Sequence, residues 1–164
     1  MMKHQKTTHI TVLLVTLLTL TAQASPSITD DQQSNRVGLV VDFGDGAFHT
    51  LCVAFNETEI SGYDVLIRSD LDVATRGGAI CRIEETGCPT EHCFCAMPDY
   101  WSYWHLIEET DVWQYSDSSA GSTTVHDGDV EGWSWGSEPP PTLTFHQICS
   151  PSTIYLPLVM TGGG

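Results

Sequence analysis

Apolar and polar positions change rhythm several times along this chain, and each change marks an element. Ile10 to Leu20 is an uncharged run dominated by Leu, Val and Thr. From Val37 to Phe55 the period is close to two. Val37 to Asp42 and Phe48 to Phe55 read as strands around Phe43-Gly44-Asp45-Gly46, a turn rich in residues that tolerate positive φ, so an antiparallel hairpin is expected. The period then lengthens. Ile60, Tyr63, Ile67 and Leu71 mark one helical face, which Leu66 extends, and they predict one short helix. Ser61-Gly62-Tyr63-Asp64 has the form of a capping box at its start, and Gly77-Gly78 supplies a stop.

Short strands follow. Ala79 to Glu84 is one, and a cysteine-rich loop runs from Glu85 to Cys95. Tyr100 to Ile107 is a strand dense in aromatics, and Val112 to Tyr115 is a short one. Thr123 to His126 and Val130 to Trp135 flank Asp127-Gly128-Asp129, a hairpin turn signal. Pro139-Pro140-Pro141 ends the regular part, and Phe145 to Cys149 is expected to pack back onto the domain through Cys149. A hairpin, one helix and a run of short strands read as α+β, with the helix across one face of a mixed sheet.

The ends of the chain read differently from its middle. Met1 to Lys6 carries two lysines, the apolar run follows, and Ala22-Gln23-Ala24 offers small residues for cleavage before Ser25. Residues 1–24 therefore read as a cleavable signal peptide. A retained membrane anchor is the alternative, but Ile10 to Leu20 falls far short of the roughly 20 residues that span a bilayer. Residues 25–36 form a polar, flexible lead, 37–149 the domain, and 150–164 a short tail whose apolar piece is also too short to span. The expected product is secreted or held at the cell surface.

Composition narrows the partners. The chain carries a formal charge of −15 at pH 7, and its two lysines, Lys3 and Lys6, both lie in the expected signal peptide. Arg36, Arg68, Arg76 and Arg82 are then the only bases against 21 acids. Nucleic acid is excluded as a partner, because phosphate binding needs clustered Lys or Arg. Such acidity suits solubility outside the cell, and is compatible with divalent cations or salt tolerance.

Cys52, Cys81, Cys88, Cys93, Cys95 and Cys149 all follow the expected cleavage point and suit an oxidising compartment. The sequence does not choose among their pairings. The preferred set is Cys52–Cys149, with Cys81–Cys95 and Cys88–Cys93 nested in one loop. A metal site at His92, Cys93 and Cys95 is the alternative, but the paired knuckles of structural zinc are missing.

Candidate chemistry is sparse. His49, His92, His105, His126 and His146 stand apart from any hydrolase, zincin or phosphate-loop motif, so catalysis is not expected. Glu84-Glu85 and Glu108-Glu109 identify no glycosidase in so acidic a chain. Asp127-Gly128-Asp129-Val130-Glu131 could offer oxygens to calcium, although a plain turn explains it as well. The aromatic strand is the better candidate. Trp101, Tyr103 and His105 share one face, and Trp104 and Leu106 the other. If Trp104 and Leu106 lie under the helix, the first three face outward as a platform for a flat ring, a sugar or a protein. Trp133 and Trp135 could extend it, or these tryptophans could fill the core.

The order of elements is that of the β-grasp arrangement, and the residues themselves resemble one family. Ile60 to Val73, Ala79 to Glu84, Tyr103-Trp104-His105-Leu106 and Val125 to Trp135 are similar to the C-terminal domain of transcobalamin and intrinsic factor and to its bacterial stand-alone relatives. The match runs over roughly residues 37–136. It rests on Tyr103, Trp104 and Leu106, then Tyr115, then Asp127-Gly128-Asp129 before Val130. The resemblance implies a β-grasp domain that binds cobalamin or a related corrinoid, with Trp101, Tyr103, Trp104 and His105 as ligand contacts and a partner protein of an uptake system. His105 stands where the family carries glutamine, which brings in a group that can ligate metal or titrate. The large helical domain of the vertebrate carriers has no counterpart here, so one face of a corrinoid would stay uncovered. The alternative function is an extracellular module for protein or glycan partners.

Overall fold

The computed structural model describes residues 34–150. The expected signal peptide, the lead up to residue 33 and the tail from 151 onward lie outside them. Strands β1 (Asn35–Asp42) and β2 (Phe48–Phe55) are followed by β3 (Ile60–Ser61), helix α1 (Gly62–Ile67), β4 (Val73–Arg76), β5 (Ala79–Ile83) and β6 (Thr86–Gly87). Then come β7 (Trp101–Ile107), β8 (Val112–Tyr115), β9 (Thr124–Val125), β10 (Val130–Trp135) and helix α2 (Phe145–Cys149). β1 begins at Asn35, two residues before the expected strand start at Val37.

The main sheet has the order β2-β1-β10-β7-β8. β1 and β10 run parallel at its centre, with Leu39 opposite Glu131 and Val41 opposite Trp133, and the other neighbours are antiparallel. This is the expected mixed, β-grasp-like sheet. β3 pairs with β9, and β4-β5-β6 form a small separate sheet. The β1–β2 hairpin is closed by Gly44 and Gly46 at φ +78° and +92°, while Asp42 and Asp45 accept from the amides of Gly44 and Ala47.

Both faces of the main sheet are covered, which explains why β1 and β10 are buried along almost their whole length. On one face Val37, Leu39, Val41, Trp101, Tyr103 and Trp133 pack with Val65 and Leu66 of α1. On the other, Val40, Val130, Trp104 and Trp113 lie beneath Leu143, Phe145 and Ile148 of the C-terminal segment. A side chain at Gly132 would meet Pro140 at 2.7 Å and Trp113 at 2.8 Å, so this segment, a strap over the second face, rests on bare backbone. α2 is a second helix, whereas the sequence predicts only α1. Its capping box, Thr144 with Gln147, sets it at the end of the strap.

The capping box at Ser61 and Asp64 is present, and it starts α1 at Gly62. The helix spans six residues and not the longer predicted face. Ile60 is in β3, Ile67 is 44% exposed, and Val65 supplies the burial instead. Gly77-Gly78 is not a helix stop but the turn between β4 and β5, at φ +60° and +86°. Asp127-Gly128-Asp129 does not close a hairpin between β9 and β10, because β10 is drawn into the central parallel pair. Its carboxylates accept from the amides of Arg36 and His126, each at 2.7 Å. Among the described residues no cluster of three metal-ligating side chains occurs, at this turn or elsewhere.

Three disulfides staple the domain. Cys52–Cys149 ties the edge strand β2 to the end of the strap, as expected. The other two correct the nested arrangement: they are Cys81–Cys93 and Cys88–Cys95. Cys88 is fixed beside β5 by donating its amide to the Cys81 carbonyl, and a single 3₁₀ turn at Thr90–His92 then returns Cys93 to Cys81. Cys95 is carried past to Cys88, whose sulfur accepts its amide. Among the described residues no helix is long and apolar enough to cross a membrane.

Cys52–Cys149 joins positions 97 residues apart, so it constrains the unfolded chain far more than Cys88–Cys95, which are seven apart. Replacing Cys52 and Cys149 together by serine is expected to cost about 2–5 kcal/mol in urea unfolding and to open the strap to native-state proteolysis between residues 138 and 145. Removing Cys88–Cys95 should cost less and leave the strap protected.

Candidate functional site

Glu131 is the second residue of β10 and is 3% exposed, the one carboxylate among the buried side chains of the described residues. Strand alternation puts it on the same face as Trp133, toward α1. Its cross-strand neighbour on β7 is His105, and Tyr103 is diagonal to it. Both donate to it: the Tyr103 hydroxyl to Oε2, and His105 Nδ1 at 3.1 Å from Oε1 and 2.9 Å from Oε2. Tyr103 stacks on Trp133 with centroids 4.8 Å apart, and His105 meets the Tyr103 ring edge-on at 4.6 Å. Three side chains on two strands thus form one ladder ending in an imidazole.

Burial dominates the electrostatics of this cluster. It pushes the Glu131 carboxyl above its ordinary value, Asp129 adds to the rise, and the donors His105 and Tyr103 pull it back. Burial and then the Glu131 charge hold the Tyr103 phenol well above the ordinary phenol range. The phenol keeps its place because α1 begins with glycine: a Cβ on Gly62 would lie 1.7 Å from the Tyr103 hydroxyl oxygen.

His105 is the member that reaches solvent, with 23% of its side chain exposed. It lines a cleft of about 270 Å³ with Gln114 and Tyr115 of β8 and Ser116, Asp117 and Thr123 of the following loop. The arrangement presents one imidazole of fixed orientation against a polar wall. Among the described residues no serine or cysteine hydrogen-bonds His105, so the relay needed for acyl transfer is not assembled. A second cleft, of about 240 Å³, lies between Leu106, Asp129, Val130, Phe145 and His146 and contains none of the expected ligand contacts.

The four expected contacts do not share one surface. Trp101 and Tyr103 are 5% and 6% exposed and lie beneath α1, where the platform reading required Trp104 and Leu106. Trp101 packs edge-on against Phe43 and donates to the Thr86 carbonyl. Trp104 lies under the strap on the opposite face, donating to Ser102 at 2.9 Å. The outward platform is therefore absent: it presumes one covered face, and the strap covers the other. Trp133 and Trp135 join the α1 side instead of extending a platform. His105 alone of the four opens onto a cleft. Glu131 escaped the sequence reading as a contact, although an acid two residues before Trp133 on a central strand is a legible sign of a buried carboxylate.

Gly62→Ala is expected to drive the Tyr103 phenol away from Glu131 and to cost about 1–3 kcal/mol in thermal unfolding. The cost should be less than additive with Tyr103→Phe, since both disturb one contact. Because the Glu131 carboxyl is raised in the folded state, its contribution is full below the ordinary value of 4.5 and is lost as pH rises through the folded value. Urea midpoints taken from about pH 4 to about pH 8 should therefore favour Glu131→Gln over the natural chain progressively as pH rises.

No family model matches the chain, and no curated protein is significantly similar to it.

Proposed function

We propose that this protein is an exported binding module that holds a corrinoid at the His105 cleft, outside the cell or at its surface, as part of an uptake system. The observation that carries the reading is the buried Glu131 carboxylate behind an imidazole that opens onto a cleft. A buried charge costs several kcal/mol unless it is well paired, and here it serves to orient one partly exposed ring. Three disulfides support an oxidising compartment. The β-grasp order of the sheet supports the resemblance to the transcobalamin type, whose glutamine position is the one His105 occupies. The contacts move from an aromatic platform to His105 and its cleft neighbours. The protein acts by binding and not by catalysis.

A glycan is the second reading. Gln114, Ser116, Asp117 and Thr123 beside the 43%-exposed Tyr115 form a polar cleft with an aromatic edge, which suits a single sugar ring.

Equilibrium dialysis of the oxidised, secreted protein against cobalamin and cobinamide tests the first reading. Saturable binding with Kd on the order of 1 μM or tighter is expected. His105→Ala should weaken it about tenfold or more. A folded protein that takes up neither corrinoid but retains a glycan through Tyr115 and Gln114 would replace this reading with the second.

A further inference from the structure

The core beneath the strap is not sealed at one end. Leu106 near the end of β7 and Phe145 at the start of α2 are only partly buried, and with Val130 they floor the cleft of about 240 Å³. Glu108 and Asp111, between β7 and β8, and Asp129, just before β10, stand at its rim. Leu106 and His105 are neighbours on one strand and point to opposite faces, so this cleft is separate from the one His105 lines. We infer that it binds an organic cation, a guanidinium or primary ammonium group carried on a short aliphatic stem. The site does not depend on what the His105 cleft holds.

Floor and rim make different demands, and such a cation meets both. Hydrocarbon laid on the open end of the core removes apolar surface from water. At the rim no lysine or arginine lines the cleft, and among the described residues neither Glu108 nor Asp111 makes an ion pair or a side-chain hydrogen bond. Asp129 gives one oxygen, Oδ2, to the His126 amide and keeps Oδ1 free. An anion would face three like charges, and a neutral apolar molecule would leave the carboxylates unanswered. A bare divalent ion gains nothing from the floor, and no three ligating side chains gather among the described residues. α2 starts at the cleft, but a five-residue helix adds little field, and Gln147 already accepts the Thr144 amide at 2.8 Å. The Phe145 ring shows its fitness for a cation: the Arg36 guanidinium lies 5.7 Å over it while donating to the Cys149 carbonyl, and Arg36 itself does not line the cleft. A planar guanidinium also matches carboxylates two donors at a time. A free small cation and an arginine side chain of a partner polypeptide present this same chemistry.

Amide and methyl NMR spectra of the oxidised, secreted protein titrated with n-butylguanidinium test the inference. Saturable shifts confined to Leu106, Asp111, Val130 and Phe145 are expected, with Kd on the order of 1 mM for so small a ligand. n-Butylurea has the same shape without the charge and should bind at least about tenfold more weakly. The guanidinium ion has the charge without the stem and should also lose about tenfold or more. Glu108→Gln combined with Asp111→Asn removes two charges from exposed positions, and asparagine tolerates the φ of +52° at residue 111, so the fold should stand. Affinity for n-butylguanidinium should fall about tenfold in that variant. The peptide acetyl-Gly-Arg-Gly-amide separates the two sources. Binding as tight as that of n-butylguanidinium, or tighter, assigns the site to an arginine of a partner polypeptide, and weaker binding assigns it to a free cation. Equal binding of n-butylurea, shifts spread over the acidic surface without saturation, or undiminished affinity in the double variant would overturn the inference. The comparison with n-butylurea uses the natural protein and decides even if the variant misfolds.

Discussion

The parallel pairing of β1 with β10 is the constraint on which the rest depends. A parallel pair cannot be closed by a tight turn, so the chain between Asp42 and Val130 must cross over, and it fills that crossover with α1, the small β4–β6 sheet and the β7–β8 hairpin. A central parallel pair also needs cover on both faces. α1 covers one. The strap from Pro140 to α2 covers the other, and Cys52–Cys149 holds its end to the edge strand.

That double cover decides what the aromatics can do. Trp101, Tyr103 and Trp133 become core beneath α1, while Trp104 and Trp113 become core beneath the strap. Five tryptophans in a domain with few large aliphatics on these strands are spent on cohesion. The margin of the sheet is less filled: His105 lies near the end of β7, and the loop after β8 leaves a cleft beside it. The cluster is anchored at the sheet centre by Glu131 and reaches the surface through one imidazole, so its orientation is set by core packing and not by loop conformation.

The cost of the cluster is borne by local glycine and by hydrogen bonding. Gly62 gives the phenol room, and two donors meet the carboxylate. Trp113 and Trp133 leave their buried indole N–H groups without partners, a cost of about 1–3 kcal/mol each that tight packing of the rings has to offset.

Much of this was readable from residues alone. Period-two patterning located β1, β2, β5, β7, β8 and β10 to within two residues. Ser61 and Asp64 marked the start of α1. These are local properties, written in alternation, caps and turns. What needed the tertiary structure was every question of which face and which partner. Alternation separates Trp101 and Tyr103 from Trp104 but does not say which set α1 covers, and Cys149 announces that Phe145 to Cys149 returns to the domain but not which face it covers. The same holds for Cys93, which pairs with Cys81 because one 3₁₀ turn returns it there, and for Asp127-Gly128-Asp129, which binds β1 because β10 is claimed by a strand 90 residues earlier. Glu131 became a candidate only when long-range pairing set it beside Tyr103 and His105. Local sequence carries the period of an element, whereas neighbours across a sheet are chosen by the packing of the whole domain.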